Sequence, residues 1–140
     1  MFQMRVLIIA AVVCGLLLVI AGAAGGHASA FGLTATSEAV FREGVIRRVA
    51  WDSAMLLGLV HVLAALLACA LPLGPMRVWG GWAFLAGVVF FSFALLTKAF
   101  IEMRGGSAPL GMLAPVGGVS FMIGWVLLLV SAVRAKPATE

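Results

Sequence analysis

Four long apolar runs dominate the chain, and the polar residues gather between them. The runs cover about residues 6–24, 53–71, 78–97 and 115–133 and contain almost no charge. Each is close to the ~20 residues that a helix needs to cross the hydrocarbon of a bilayer. Inside hydrocarbon every backbone N–H and C=O must be bonded within the structure, which leaves helices or a closed barrel. These runs are too long for barrel strands and do not alternate. The pattern therefore predicts an all-α, integral membrane four-helix bundle, with residues 1–140 forming a single membrane domain.

The stretches between the runs refine this picture. The first run follows Arg5 and precedes a small-residue site, Ala28-Ser29-Ala30, as a secretory signal would. Its apolar length exceeds the usual 7–15 residues of a signal core, so a retained helix is expected. Val13 is too bulky to precede a lipid-modified cysteine at Cys14. Within the longest polar interlude, residues 37–50 predict one short amphipathic helix. Thr36 or Ser37 can cap it, Glu38 suits its first turn, and Phe41, Val45 and Val49 form an apolar stripe. Glu38–Arg42 and Glu43–Arg47 are i,i+4 pairs with the acid first, the better orientation. Such a helix either lies in the membrane interface or packs over the bundle end. Pro72, Gly74 and Pro75 close the second run. Residues 107–114 are too rich in Pro and Gly to extend a helix, yet Leu110, Met112 and Leu113 are apolar. They predict a compact turn against the bundle end, after which Pro115 opens the fourth helix, where its missing N–H costs nothing.

Each run also carries small residues at steps of 3, 4 or 7. These are Ala11, Gly15, Gly22 and Gly26; Ala54, Gly58, Ala65 and Ala68; Ala83, Gly87 and Ala94; and Gly117, Gly124 and Ser131. Small residues let membrane helices approach closely, and that contact drives their association in lipid. Gly117 and Gly118 are expected to give a neighbouring helix access to the first turn of the fourth.

Composition reinforces the membrane reading, with 64% hydrophobic and 10% charged residues. Soluble domains carry about 25% charge. The net charge of +4 could suggest nucleic acid, but the cations sit singly or in pairs at the ends of the runs. That placement suits anionic lipid head groups, so the bilayer and no nucleic acid is the expected partner. Orientation stays open. Arg5, Arg77, Arg134 and Lys136 fall on one side, and Arg42, Arg47, Arg48, Lys98 and Arg104 on the other. Four against five gives the positive-inside rule nothing to act on.

Little in the chain carries chemistry. There is no Ser/His/Asp spacing, no Cys/His cluster and no phosphate loop. No metal site or cofactor is expected, and Cys14 and Cys69 read as small apolar packing residues. His61 is the exception, because it lies near the middle of the second run on the same face as Gly58, Ala65 and Ala68. Polar groups at that depth are costly and turn toward the bundle interior. His61 could relay protons, bind a metal or haem, touch a substrate, or simply hydrogen-bond a neighbouring helix. His27 follows the first run. A haem held by both histidines is excluded, because His27 should lie level with Trp51 and His61 about 15 Å deeper. Ser92, in the third run, can bond back to its own helix.

Four segments together resemble the YgdD-type small membrane proteins, a family of four-helix proteins with a eukaryotic relative. They are GAAGGHASAFGL with His27, HVLAALL with His61, GVVFFSFALL with Phe91 and Ser92, and APVGGVSFMIGW with Pro115, Gly117, Gly118, Gly124 and Trp125. The resemblance spans about Ala21 to Ala132. It differs at Ala114, where the family has Thr, at Phe93, where it has Gly, and at Gly58, Leu59 and Val60, where it has aromatic and amide residues. It implies four spans in a bacterial plasma (inner) membrane and supplies no activity. The expected function is a non-enzymatic accessory or structural subunit of a membrane assembly, with other subunits or further copies as partners. The alternative is a small-solute or ion carrier with His61 as its midplane site.

Overall fold

The computed structural model describes residues 2–25 and 31–135. Four of its helical stretches are long and apolar enough to cross a membrane, Phe2–Ala24, Glu38–Ala70, Met76–Met103 and Pro109–Val133. The first is helix α1 (Phe2–Ala24) and the second is α2 (Glu38–Ala70). The third stretch contains α3 (Met76–Gly87), a π-helical turn (Val88–Phe93) and α4 (Ala94–Met103). A 3₁₀ turn (Pro109–Leu113) leads into α5 (Ala114–Val133).

The amphipathic segment is helical, but it is not a separate element. It runs without a break into the second span, giving one helix of 33 residues, about 50 Å long. That exceeds the ~30 Å hydrocarbon thickness, so the charged N-terminal third extends beyond it. The physical reason is the absence of a breaker after Gly44: Trp51, Asp52 and Ser53 all tolerate helix. Gly44 itself, which costs a helix about 1 kcal/mol, is needed for packing. The loop at Phe31 crosses it so closely that a Cβ there would lie 2.3 Å from the Phe31 carbonyl oxygen.

Helices α1 and α2 run antiparallel in a regular register. Added Cβ atoms on Gly15, Gly22 and Gly25 would meet Val62, Met55 and Trp51 in turn, and one on Gly58 would meet Leu18. At the end of this seam Arg48 donates to the Gly25 carbonyl at 2.9 Å and to the Asp52 carboxylate at 2.8 Å. Its guanidinium also covers the Phe31 ring, which sits edge-on to Trp51. Of the two ion pairs expected in this region, Glu43–Arg47 forms, at 3.4 Å.

The tightest seam joins α3 to α5. Gly80 faces Gly124, each with its virtual Cβ 3.1 Å from the other's carbonyl oxygen. Seven residues along each helix, Gly87 faces Gly117, whose virtual Cβ would lie 2.4 Å from the Phe91 backbone nitrogen. Both pairs keep a seven-residue step, so one face of each helix meets the other over two turns. The fourth stripe lies entirely on this buried face: Gly117, Phe121, Gly124, Leu128 and Ser131 are all buried. In the third span, Gly87 and Ala94 are buried as expected, together with Gly80 and Gly81, which the stripe had omitted.

Gly118 corrects the sequence reading. A Cβ there would meet nothing within 4 Å, so the close approach at the start of α5 belongs to Gly117 alone. A 100° step around the helix turns the next residue off the seam. The turn before α5 is compact, but Ala108 is its buried side chain; Leu110 is half-buried, and Met112 and Leu113 face outward. Pro115 occupies the first turn of α5, as its chemistry favours.

Candidate functional site

His61 lies on α2 and is buried, with 6% of its surface exposed. Its ring is stacked on Phe121 of α5, with centroids 3.7 Å apart and planes 15° from parallel. Phe84 of α3 leans over it at 5.5 Å, and Trp125 of α5 stands edge-on at 6.1 Å. Three aromatic rings from two other helices therefore cage the imidazole. Trp125 forms the outer wall: the residue is 46% exposed, and its ring packs edge-on against Phe84 at 5.1 Å.

Both ring nitrogens of His61 have partners. Nδ1 lies 2.7 Å from the Leu57 carbonyl oxygen, one turn back on α2. The Trp125 indole Nε1 lies 3.2 Å from Nε2. A carbonyl only accepts and an indole N–H only donates. The pair of contacts therefore fixes the neutral tautomer, with the proton on Nδ1 donated to Leu57 and the Nε2 lone pair accepting from Trp125. A buried polar group is costly unless its hydrogen bonds are made, and here each is made without water or ligand. The arrangement locks the α2–α5 register at one depth.

A serine at the Ser92 position can bond back to its own helix, as Ser120 does to the Val116 carbonyl at 3.0 Å. Ser92 does not. It is fully buried in the π turn, and its hydroxyl has no hydrogen-bond partner among the described residues. Gly58 makes room for it, since a Cβ there would lie 2.8 Å from Ser92 Oγ. Single π turns inside helices recur at functional positions, and nothing in the hydrophobic pattern of 78–97 announced this one. His27 lies outside the described residues. Of the turn residues, Pro115, Gly117 and Gly124 shape the start and seam of α5, and Trp125 joins the histidine cage.

Sequence reasoning missed two groups. Phe84 and Phe121 cage His61 but read as ordinary core aromatics in the sequence; their spacing from His61 gives no signal. Arg48 and Phe31 pin the end of the α1–α2 seam. The signal there was Arg48–Asp52, an i,i+4 pair at the edge of a span.

An all-α chain with four membrane-length helices and a polar cluster closed on itself defines a multi-pass membrane bundle. The chain belongs to the family described as Protein of unknown function (DUF423), whose profile matches residues 21–118. That match contains His61 and Ser92 and stops short of Trp125. The chain is 33% identical over 135 residues to the UPF0382 inner membrane protein YgdD of Escherichia coli K12, covering 94% of this chain and 92% of that one. It is 31% identical over 87 residues to the UPF0382 membrane protein SAB0533 of Staphylococcus aureus, covering 60% of this chain and 67% of its relative. A Staphylococcus epidermidis relative, UPF0382 membrane protein SERP0230, is 34% identical over 87 residues, with the same coverage. No solved structure matches the chain.

Proposed function

We propose that this protein is a non-enzymatic accessory or structural subunit of an assembly in the bacterial inner membrane. The observation that supports this reading is the state of His61. Both nitrogens of His61 are bonded within the protein, to Leu57 and Trp125, as suits a group that fixes helix packing. A small-solute or ion carrier using His61 would first have to release Nε2 from Trp125. Outer surfaces point the same way. Helix α1 is largely unburied along its span, with Ile9, Val12, Leu16, Val19 and Ile20 all exposed. Such a face is satisfied by lipid or by a neighbouring membrane helix.

Extraction in a gentle detergent, followed by light scattering and cross-linking in native membranes, tests the proposal. The expected result is a defined multimer or a reproducible partner subunit. A stable monomer in both measurements would contradict it.

A further inference from the structure

An apolar groove of ≈ 380 Å³ runs between the second half of α1 and the outer half of the third span. Helix α1 packs on α2 and α3 and stands apart from α4. Leu17 and Ala24 belong to one wall of the groove, Phe93 and Phe100 to the other, and the buried Trp51 of α2 lines it between them.

Contacts between the helices fix the depth of each wall. Helix α2 meets the third span at Gly58 with Ser92 and, further out, at Arg47 with the Glu102 carbonyl. The third span is therefore antiparallel to α2, as α1 is, and runs the same way as α1. A Cβ on Gly58 would lie 2.9 Å from Leu18 and 2.8 Å from Ser92 Oγ, which sets Leu18 and Ser92 level at the deep end. From there Ala24 lies six residues outward on α1 and Phe100 eight outward on the third span, about 9 and about 12 Å at 1.5 Å per residue. Trp51, seven residues from Gly58, lies about 10 Å out on α2 and meets Gly25 there. The groove thus follows the spans from mid-depth to the end of α1.

A cation stands at the outer end. Arg104 follows Phe100 by one turn, and its guanidinium lies over the Phe100 ring, 4.5 Å from the centroid. The ring face holds the guanidinium by cation–π attraction and leaves its N–H edges free for an oxyanion, which arginine can bind with two parallel bonds. Arg47, Arg48 and Lys98, on the same side of the bundle, each pair with a carboxylate; among the described residues Arg104 pairs with none. An apolar slot ending at an unpaired cation matches a lipid whose head group carries net negative charge. We propose that this groove seats one anionic phospholipid, with the head-group half of an acyl chain between α1 and α4 and the phosphate on Arg104. The groove and Arg104 carry this independently of the subunit reading.

The test uses the full chain, delipidated in mild detergent and given an equimolar mixture of phosphatidylglycerol and phosphatidylethanolamine with identical acyl chains. Retained lipid is measured by mass spectrometry. Phosphatidylglycerol should be retained about fivefold over phosphatidylethanolamine, the weight of one basic residue facing an anionic lipid. Arg104→Gln should remove that preference. Arg42→Gln, which alters an exposed cation on the same side but away from the groove, should keep it. Ala24→Phe, at an exposed position, should fill the groove and release the lipid although Arg104 is intact. Soluble glycerol phosphate should not displace the lipid. Equal retention of the two lipids by the unaltered protein would overturn the proposal without any variant, as would an undiminished preference in Arg104→Gln. Displacement by glycerol phosphate would reduce the site to a phosphate site and overturn the lipid seat. Cross-linking of Ala24→Cys copies to one another in native membranes, absent from the unaltered chain, would put a second copy in the groove and overturn it as well.

Discussion

Gly117→Leu should destabilise the bundle by about 3 kcal/mol or more, whereas Gly118→Leu, one residue on, should change stability by less than about 0.5 kcal/mol. The contrast follows from what each new side chain meets. At Gly117 even the first added carbon would lie 2.4 Å from the Phe91 backbone nitrogen and 2.6 Å from Phe91 Cβ. Those atoms belong to the π turn of the third span and cannot swing aside as a side-chain tip can. Helices α3 and α5 would have to separate, which also opens the Gly80–Gly124 pair seven residues away. In lipid no hydrophobic force draws the helices back together, because association rests on close packing. At Gly118 an added carbon has nothing within 4 Å. Denaturant or thermal unfolding in detergent can compare the two variants. Equal shifts would mean that the seam is not what holds α5.

The second large effect is expected at the caged histidine. His61→Ala removes a ring stacked between two helices and leaves the Trp125 indole N–H without its acceptor. Truncation of a buried ring to alanine costs about 3–5 kcal/mol, and the orphaned donor adds to the loss until lipid or water reaches it. Trp125 is half-exposed, so the sum should fall near the low end, about 3 kcal/mol. Trp125→Phe keeps the aromatic wall and removes only the donor. A double-mutant cycle between the two positions then isolates their hydrogen bond. Measured cycles for bonds between membrane helices average about 0.6 kcal/mol and reach about 1.7, and the coupling here should lie within that range. Additive effects would show that the 3.2 Å contact carries no energy.

Much of the fold was legible because the membrane simplifies the physics. Hydrocarbon demands helices, and helix length is set by bilayer thickness, so four apolar runs sufficed for the all-α bundle. The fourth span was legible in detail: Pro115 marks its start, and the seven-residue steps from Gly117 to Gly124 to Ser131 mark its buried face. Other features depend on contacts distant in sequence. The π turn at Val88–Phe93 packs against Gly58 of α2 and Gly117 of α5, and the hydrophobic pattern is the same for α and π geometry. The close packing of the loop at Phe31 over Gly44 is a contact between residues 13 apart with no local signature. The difference between Gly117 and Gly118 is a rotation about the helix axis, which a pair of adjacent glycines leaves open. His61 was legible as an inward polar residue from its depth alone. Its partners were not, because Phe84, Phe121 and Trp125 converge on it only in the folded bundle.

The central claim is that His61 is a structural group whose hydrogen bonds are complete inside the protein. Nitrogen NMR of ¹⁵N-labelled protein in bicelles at neutral pH tests it most directly, since the shifts of the two ring nitrogens report which one bears the proton. The account predicts a neutral ring with the proton on Nδ1, protected from exchange, and an Nε2 resonance that moves in Trp125→Phe. A ring protonated on Nε2, or one in rapid proton exchange with water and indifferent to Trp125, would contradict it.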